Sequence, residues 1–383
     1  MVIVMAKYEI DPIYNEEFND TVKKAKSLMT DTAFCALLMS DAHIEYAGGL
    51  EPERPGIMRQ VGVIQALAKE IGADAIMLGG DILHGTNSHE GAMNDLNLYA
   101  EALKDAPVPV LPARGNHDDN GYHSAQKPPE ITHYDPHYCP ISYIVNQQMW
   151  VDTLVDRVCK DKAIHDANDP KSTYYYADFP DKKVRMIFLD AYDYPYVASN
   201  GFHLDCASEG WNHVPDHQIK WLCDVALDTT KDGWNFIACS HAPFKNFGSF
   251  GNRDEIMGIF SAFNNREIYK NERIGIIKDW TKATASAPLQ LFGHTHLTVT
   301  KNCALEKMQL IGVGSAKVSF YQKPIPNLLA HGDYDFAEMP ERVAGNYTEA
   351  NIDVIIMDKG KINKIRFGAG IDQTFDVCDY MNY

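Results

Sequence analysis

Side chains of the kinds that bind metal ions occur in five short segments of the sequence. The segments read SDAH (40–43), GGD (79–81), RGNHDD (114–119), CSHAP (239–243) and FGHTH (292–296). Aspartate, asparagine and histidine supply carboxylate, amide and imidazole groups, the mixed donors that suit Mn, Fe, Zn and Ni ions. Any one segment is weak evidence, because a DxH pair or a Gly-Gly-Asp turn often occurs without a metal. Five of them in one chain indicate a metal centre if the fold brings them together.

Each of the five segments comes at the end of a predicted β-strand. Apolar runs predict strands within 33–40, 73–81, 108–118, 234–244 and 287–296. Helical periodicity predicts helices at 15–29, 58–72, 92–105 and 216–228. Strands that alternate with helices form an α/β sheet. Ligands of such sheets bind outside the carboxyl ends of the strands, where all five segments lie.

The second half of the chain is richer in strands. Apolar runs predict further strands at 183–191, 308–316, 352–358 and 361–368. The last two are joined by Lys359 and Gly360, a two-residue connection typical of a hairpin. Two sheets packed face to face, with helices on the outside, account for this order of elements.

The chain is predicted to form one elaborated domain over residues 1–383. No internal repeat, low-complexity tract or linker divides it. We expect an N-terminal helical extension over about 1–30 and an irregular insertion or cap over about 119–182, which is rich in His, Tyr and Pro. A strand-rich C-terminal segment is expected over about 351–370.

Composition limits the partners and the compartment. The formal net charge is −17, from 52 acidic and 35 basic residues, and no run of Lys or Arg is present. Such a chain repels a phosphate backbone, which disfavours long nucleic acids and anionic membranes as partners. The eight cysteines include no Cys-x-x-Cys pair, and no apolar stretch approaches the roughly 20 residues of a membrane span. These features predict a cytoplasmic protein, and the sequence does not indicate an oligomeric state.

In this order, the five segments resemble the signature of the calcineurin-like metallophosphoesterase superfamily. The segments extend from residue 41 to residue 296, about two thirds of the chain, and none of the family's motif positions is missing. The resemblance implies a four-layer α/β/β/α sandwich of two mixed β-sheets flanked by helices. It also implies a dinuclear metal site at the carboxyl ends of the strands.

The resemblance assigns a ligand to each motif position. One ion would be held by Asp41, His43, Asp81 and His296. The other would be held by Asp81, Asn116, His241 and His294. Asp81 would then be the carboxylate that bridges the two ions. Mn or Fe ions are favoured because the family often uses them, and Zn or Ni ions are alternatives that the ligands also suit.

The central segment carries two further candidate catalytic residues. Gly115 lets the backbone turn, and His117 stays free of the metals to protonate the leaving group. Asp118 either orients His117 by a hydrogen bond or acts as a turn carboxylate, and the sequence favours neither. Arg114 is a candidate for substrate contact, although a structural salt bridge suits it better. Other candidate substrate contacts, with an ordinary surface loop as the alternative for each, are Tyr122, His123, Phe247 and Asn252.

The function predicted from these residues is metal-dependent hydrolysis of a small phosphodiester or phosphomonoester. A hydroxide that bridges the two metals would attack phosphorus. Two alternatives remain open at this point. A nuclease of the same superfamily would need a basic stripe beside the site, and a non-catalytic interaction module would keep the metal site as a relic.

Overall fold

The fold is described from a computed structural model of the chain. It describes residues 10–45, 54–121, 139–199, 201, 213–245, 251–320, 335–336 and 341–382. Within these ranges the α-helices are Asn15–Leu28 (α1), Arg54–Ile71 (α2), His89–Leu103 (α3), Gln147–Trp150 (α4), Asp156–Val158 (α5), Asp216–Trp221 (α6) and Arg253–Asn264 (α7). Two π-helical turns, Val151–Val155 and Leu222–Ala226, continue α4 and α6. Among the described helices, none is both long and apolar enough to cross a membrane.

Most of the strands belong to two mixed sheets. The strand bounds are Phe34–Met39 (β1), Ala75–Leu78 (β2), Val110–Pro112 (β3), Ile164–His165 (β4), Tyr175–Phe179 (β5), Val184–Leu189 (β6), Asn235–Ser240 (β7), Ile268–Asn271 (β8), Ile276–Asp279 (β9), Ser286–Phe292 (β10), Val299–Cys303 (β11), Met308–Gly312 (β12), Asp335–Phe336 (β13), Asn351–Asp358 (β14), Lys361–Gly368 (β15) and Gln373–Asp376 (β16). The first sheet has six strands in the order β16-β15-β14-β1-β2-β3, and the second has eight in the order β13-β11-β12-β10-β7-β6-β5-β4. Strands β8 and β9 form a separate hairpin.

The parallel strands of both sheets deliver their carboxyl ends to one place. In the first sheet β1, β2 and β3 are parallel, and in the second β6, β7, β10 and β12 are parallel. An isolated parallel bridge pairs Ser40, just after β1, with Ser315, just after β12. The Ser315 hydroxyl also donates to the Asp41 carbonyl oxygen at 2.7 Å. The strand ends of the two sheets therefore meet.

Two hydrophobic clusters define four layers. The larger cluster lies between the sheets and under α1–α3, and it joins residues of the first sheet such as Leu37 to residues of the second such as Phe188. The other cluster packs the opposite face of the second sheet, for example Phe236, against Ile219 of α6 and Phe263 of α7. All six residues of β1 are buried, as expected for a strand that is covered on both faces. The predicted α/β/β/α sandwich is confirmed.

The helix predicted at 92–105 differs from the observed one at its start, and the predicted hairpin is present. Helix α3 begins at His89 rather than at 92, because the Ser88 hydroxyl accepts a hydrogen bond from the Gly91 N–H at 3.1 Å and caps the helix there. The predicted hairpin is formed by β14 and β15, which pair from Asn351 with Gly368 to Asp358 with Lys361.

The segment 119–182, predicted as an irregular insertion or cap, contains several regular elements within its described residues. Residues 122–138 lie outside the described ranges. After them come α4, α5 and β5, which pairs with β6 along its whole length and so belongs to the second sheet. The alternating burial of Tyr175–Phe179 explains the strand, since its inward residues fill the core. The irregular character predicted for this segment therefore does not extend to these described elements, and an insertion or cap over 119–182 stays a prediction.

Candidate metal centre

The backbone turns sharply at the strand ends where the predicted ligands lie. Five of these ligands have a positive φ, between 44° and 64°, a region that residues with a Cβ seldom adopt: they are Asp41, His43, Asp81, His294 and His296. The turns let Asp41 and His43, two residues apart, point to the same place. Strained backbone of this kind tends to cluster at functional sites.

The first candidate metal group is formed by Asp41, His43, Asp81 and His296, each offering one ligand atom within 4.8 Å of the others. Nε2 of His43 lies 3.1 Å from Nε2 of His296 and 3.5 Å from Oδ2 of Asp81. Nε2 of His296 lies 3.2 Å from Oδ1 of Asp41. The ligands come from both sheets, at the ends of β1, β2 and β10.

The second candidate group is formed by Asp81, His241 and His294. Nε2 of His241 lies 3.1 Å from Oδ2 of Asp81 and 3.2 Å from Nδ1 of His294. Nδ1 of His294 lies 3.1 Å from Oδ1 of Asn116. Oδ2 of Asp81 thus faces both groups, and all seven predicted ligands converge around it.

The donor atoms fit metal ions. Two imidazole nitrogens that bind one ion at 2.0–2.1 Å lie about 3 Å apart, and the His43–His296 and His241–His294 nitrogens have that spacing. The carbonyl oxygen of Gly79 lies 2.7 Å from Nδ1 of His241, which fixes that ring with Nε2 toward Asp81. Such outer hydrogen bonds orient metal-binding imidazoles.

The electrostatics of these side chains also favour a cation. Burial raises the pKa of Asp81, but His241 and the other nearby imidazoles lower it well below its usual value. Burial lowers the pKa of His241, yet the Asp81 carboxylate raises it to about 10. Burial and the charge of His241 lower the pKa of His294 to about 4. A neighbouring positive charge therefore stabilises the Asp81 carboxylate, and either a proton on His241 or a metal ion can supply that charge.

Asp118 lies beneath the site as a turn carboxylate. It is buried, and its two oxygens accept four backbone N–H bonds, from Gly115, Asp81, Ile82 and Leu83 at 2.7–3.0 Å. Burial and the neighbouring Asp81 raise its pKa to about 7. These contacts support the turn role rather than the catalytic role.

His117 is held by hydrogen bonds to His84 and Asp81, not by Asp118. Its Nδ1 lies 2.6 Å from the carbonyl oxygen of His84, and its backbone N–H donates to Oδ1 of Asp81 at 2.9 Å. A carbonyl only accepts, so Nδ1 carries the proton in this bond. His117 is half-buried and so remains accessible from solvent.

The structure gives two candidate substrate contacts structural partners. Arg114 is 1% exposed, donates to the carbonyl oxygens of Tyr192 and Val145, and pairs with Asp190 at 3.6 Å. This placement supports the salt-bridge alternative. Asn252 exchanges two hydrogen bonds with the backbone of Val214, at 3.0 and 2.8 Å. The other three candidates, Tyr122, His123 and Phe247, lie outside the described residues.

Two residues beside the centre had no place in the sequence-based prediction. His84 stacks on His117 with ring centroids 6.0 Å apart and lies edge-on to His43 at 5.6 Å. Nζ of Lys317, a buried residue that follows β12, lies 3.5 Å from the carbonyl oxygen of His43. Both come directly after predicted strands, in GGDILH and GVGSAK, so strand-end position was the available signal.

Comparisons with known proteins identify the family of the chain and a shared fold. The family model for calcineurin-like phosphoesterases matches residues 36–297. The structure is similar to a dimetal phosphatase from Danio rerio, with a TM-score of 0.56 and 12% identity over 90% of this chain and 99% of that one. A purple acid phosphatase from yellow lupin (Lupinus luteus) has a TM-score of 0.42 and 13% identity, over 92% of this chain and 52% of that one. No curated protein matches the sequence.

The family model covers more than half of the 383 residues and contains every predicted metal ligand. The Danio rerio phosphatase shares the fold. The chain belongs to the calcineurin-like phosphoesterase family.

Proposed function

We propose that the protein is a dinuclear metal-dependent hydrolase of a small phosphodiester or phosphomonoester. The observation that carries this proposal is the position of Asp81, whose carboxylate faces both candidate metal groups at 3.1–3.5 Å from His241 and His43. Bound by these groups, two cations would activate water and neutralise charge on the phosphoryl oxygens. Mn or Fe is our proposal for the native metals, with Zn or Ni as alternatives.

Side chains of the protein would position the metal ligands and supply the catalytic acid. Asp81, His43 and His241 are buried, which would hold their ligand atoms in place. The Asp118 carboxylate holds the turn that presents Asn116 and His117. His117 donates from Nδ1 to the His84 carbonyl oxygen, which leaves Nε2 to hold the second proton of the imidazolium. We propose that His117 transfers this proton to the leaving alkoxide. General acid catalysis of this kind contributes about 10²–10⁴ in rate.

The proposed substrate is small because the net charge of −17 opposes a long polyanion. A cytoplasmic location is also our proposal. Four buried cysteines, Cys35, Cys159, Cys223 and Cys239, are free thiols, which supports a reducing compartment.

The test is a screen of phosphomonoesters and phosphodiesters with Mn²⁺, Zn²⁺ and Fe²⁺ added in turn to chelator-treated protein. We expect turnover of at least one small ester that requires added metal. Absence of turnover with every metal, together with stoichiometric metal binding, would support the interaction module instead. Binding and cleavage of DNA at low salt would favour the nuclease.

A further inference from the structure

A third group of metal-type ligands lies beside the dinuclear centre. His43, His84 and His117 each offer a ring nitrogen, and the three nitrogens lie within 4.8 Å of one another. The ring centroids of His43 and His117 are 4.6 Å apart, with the rings nearly perpendicular at 82°. His84 and His117 are half-buried, so an ion from solvent can reach them.

This group differs chemically from the two that contain Asp81. The group itself has three imidazoles and no carboxylate, whereas each of the other groups includes at least one aspartate. The carboxylate of Glu45 lies just outside it, with Oε2 3.8 Å from Nε2 of His84. Three imidazoles with an open fourth position are a zinc-binding arrangement, and nitrogen donors favour Zn²⁺ over Mn²⁺ and Fe²⁺. Nδ1 of His117 donates to the His84 carbonyl oxygen, so His117 would bind an ion through its other ring nitrogen, Nε2.

We propose that His43, His84 and His117 form a separate Zn²⁺ site that shares His43 with the first metal group. Zn²⁺ bound there takes His117 away from the substrate and competes for a ligand of the dinuclear centre. Excess Zn²⁺ therefore inhibits the enzyme, and Mn²⁺ does not. The inhibition rests on the proposed function, but the Zn²⁺ binding does not.

The backbone of His84 makes its own contacts, so side-chain substitution leaves them in place. Its N–H donates to the carbonyl oxygen of Ile44 at 3.0 Å, and its carbonyl accepts from His117. His84→Ala is therefore the main variant and His84→Gln the conservative one. His89→Ala is the matched control, because His89 lies five residues further on and belongs to none of the three candidate metal groups among the described residues.

The experiment titrates chelator-stripped, full-length protein with Zn²⁺, and separately with Mn²⁺, against a chromophoric chelator. We expect His84→Ala and His84→Gln to weaken one Zn²⁺-binding step at least about tenfold, the smallest effect usual for a metal-site residue. We expect unchanged Mn²⁺ binding, a matching loss of that Zn²⁺ step in His117→Ala, and wild-type behaviour in His89→Ala. Zn²⁺ isotherms identical to wild type in both His84 variants would overturn the site.

Equal weakening of Zn²⁺ and Mn²⁺ binding would also overturn it, because His84 would then act on the whole centre. In the activity arm, the Zn²⁺ concentration that halves turnover should rise about tenfold or more in His84→Gln relative to wild type. An unchanged value would refute the inhibitory role. If no ester is turned over at all, the proposed function fails while the Zn²⁺ titration still decides the site.

Discussion

Replacing Asp118 by Asn tests whether this carboxylate is a structural part of the metal centre. Oδ1 accepts from the N–H groups of Ile82 and Leu83, and Oδ2 accepts from those of Asp81 and Gly115. The amide group of Asn has only one acceptor oxygen. In either orientation its NH₂ group faces two backbone N–H groups, which then lose their acceptor. All of these groups are buried, and solvent cannot replace the lost bonds.

The expected loss of stability follows from that count. Each buried donor left unsatisfied costs about 1–3 kcal/mol, so two of them cost about 2–6 kcal/mol. Burial, and after it the charge of Asp81, raises the pKa of Asp118 to about 7, and the substitution removes this unfavourable buried charge. We therefore expect a value in the lower half of that range. Because the same turn carries Asn116 and the backbone of Asp81, metal affinity should fall as well.

The assay is guanidinium unfolding of the metal-stripped protein, followed by a metal titration. Asp279→Asn is the matched control, because Asp279 also accepts bonds at a turn, from the N–H and hydroxyl of Thr281, but it is exposed. We expect the control to change little. If Asp118→Asn is no less stable than the control and alters only the turnover of poor leaving groups, then Asp118 serves His117 and the structural assignment is wrong.

Three further predictions concern single side chains. His117→Ala should lower turnover of alkyl esters by about 10²–10⁴ and that of activated aryl esters far less; equal losses, measured by steady-state kinetics, would exclude the acid role. Gly115→Ala should cost about 1–3 kcal/mol and weaken metal binding, because its Cβ would lie 2.5 Å from the Asp81 nitrogen, whereas Gly258→Ala in α7 meets no atom within 4 Å and should be neutral or stabilising in the same unfolding assay. Burial lowers the pKa of Lys364 from 10.5 to about 8. Between pH 8 and 10.5 the unfolded chain therefore binds a proton on Lys364 that the folded protein has lost, so the free energy of unfolding rises with pH in this range, by up to about 3 kcal/mol. Lys364→Met should flatten that rise, and an identical pH profile in the two proteins would contradict the burial argument.

Periodicity was sufficient to predict the parts of the fold that bury apolar surface. The β14–β15 hairpin matches the predicted bounds except that β14 begins one residue earlier, at Asn351, because both strands are long and almost fully buried. The β8–β9 hairpin was missed because its exposed strands, IYKN and IIKD, carry no apolar pattern. The strand β5 was missed because its run of tyrosines resembles neither a buried strand nor a helix.

The candidate metal ligands were accessible from sequence because strand ends of an α/β sandwich share one edge, whatever the details of the loops. The neighbours of Asp118 and the approach of His84 to His117 were not accessible in that way. They depend on how the chain after β2 folds against the turn at Gly115. The positive φ of Asp81 directs the chain there, and the residue pattern does not predict it.

The central claim is that side chains from both sheets hold two adjacent cations around Asp81. The most direct measurement is a crystal structure of the Mn²⁺-soaked protein with anomalous scattering recorded near the manganese edge. We predict two anomalous peaks about 3.5–4 Å apart, one on each side of the Asp81 carboxylate. A single peak, or no peak among these seven ligands, would contradict the claim.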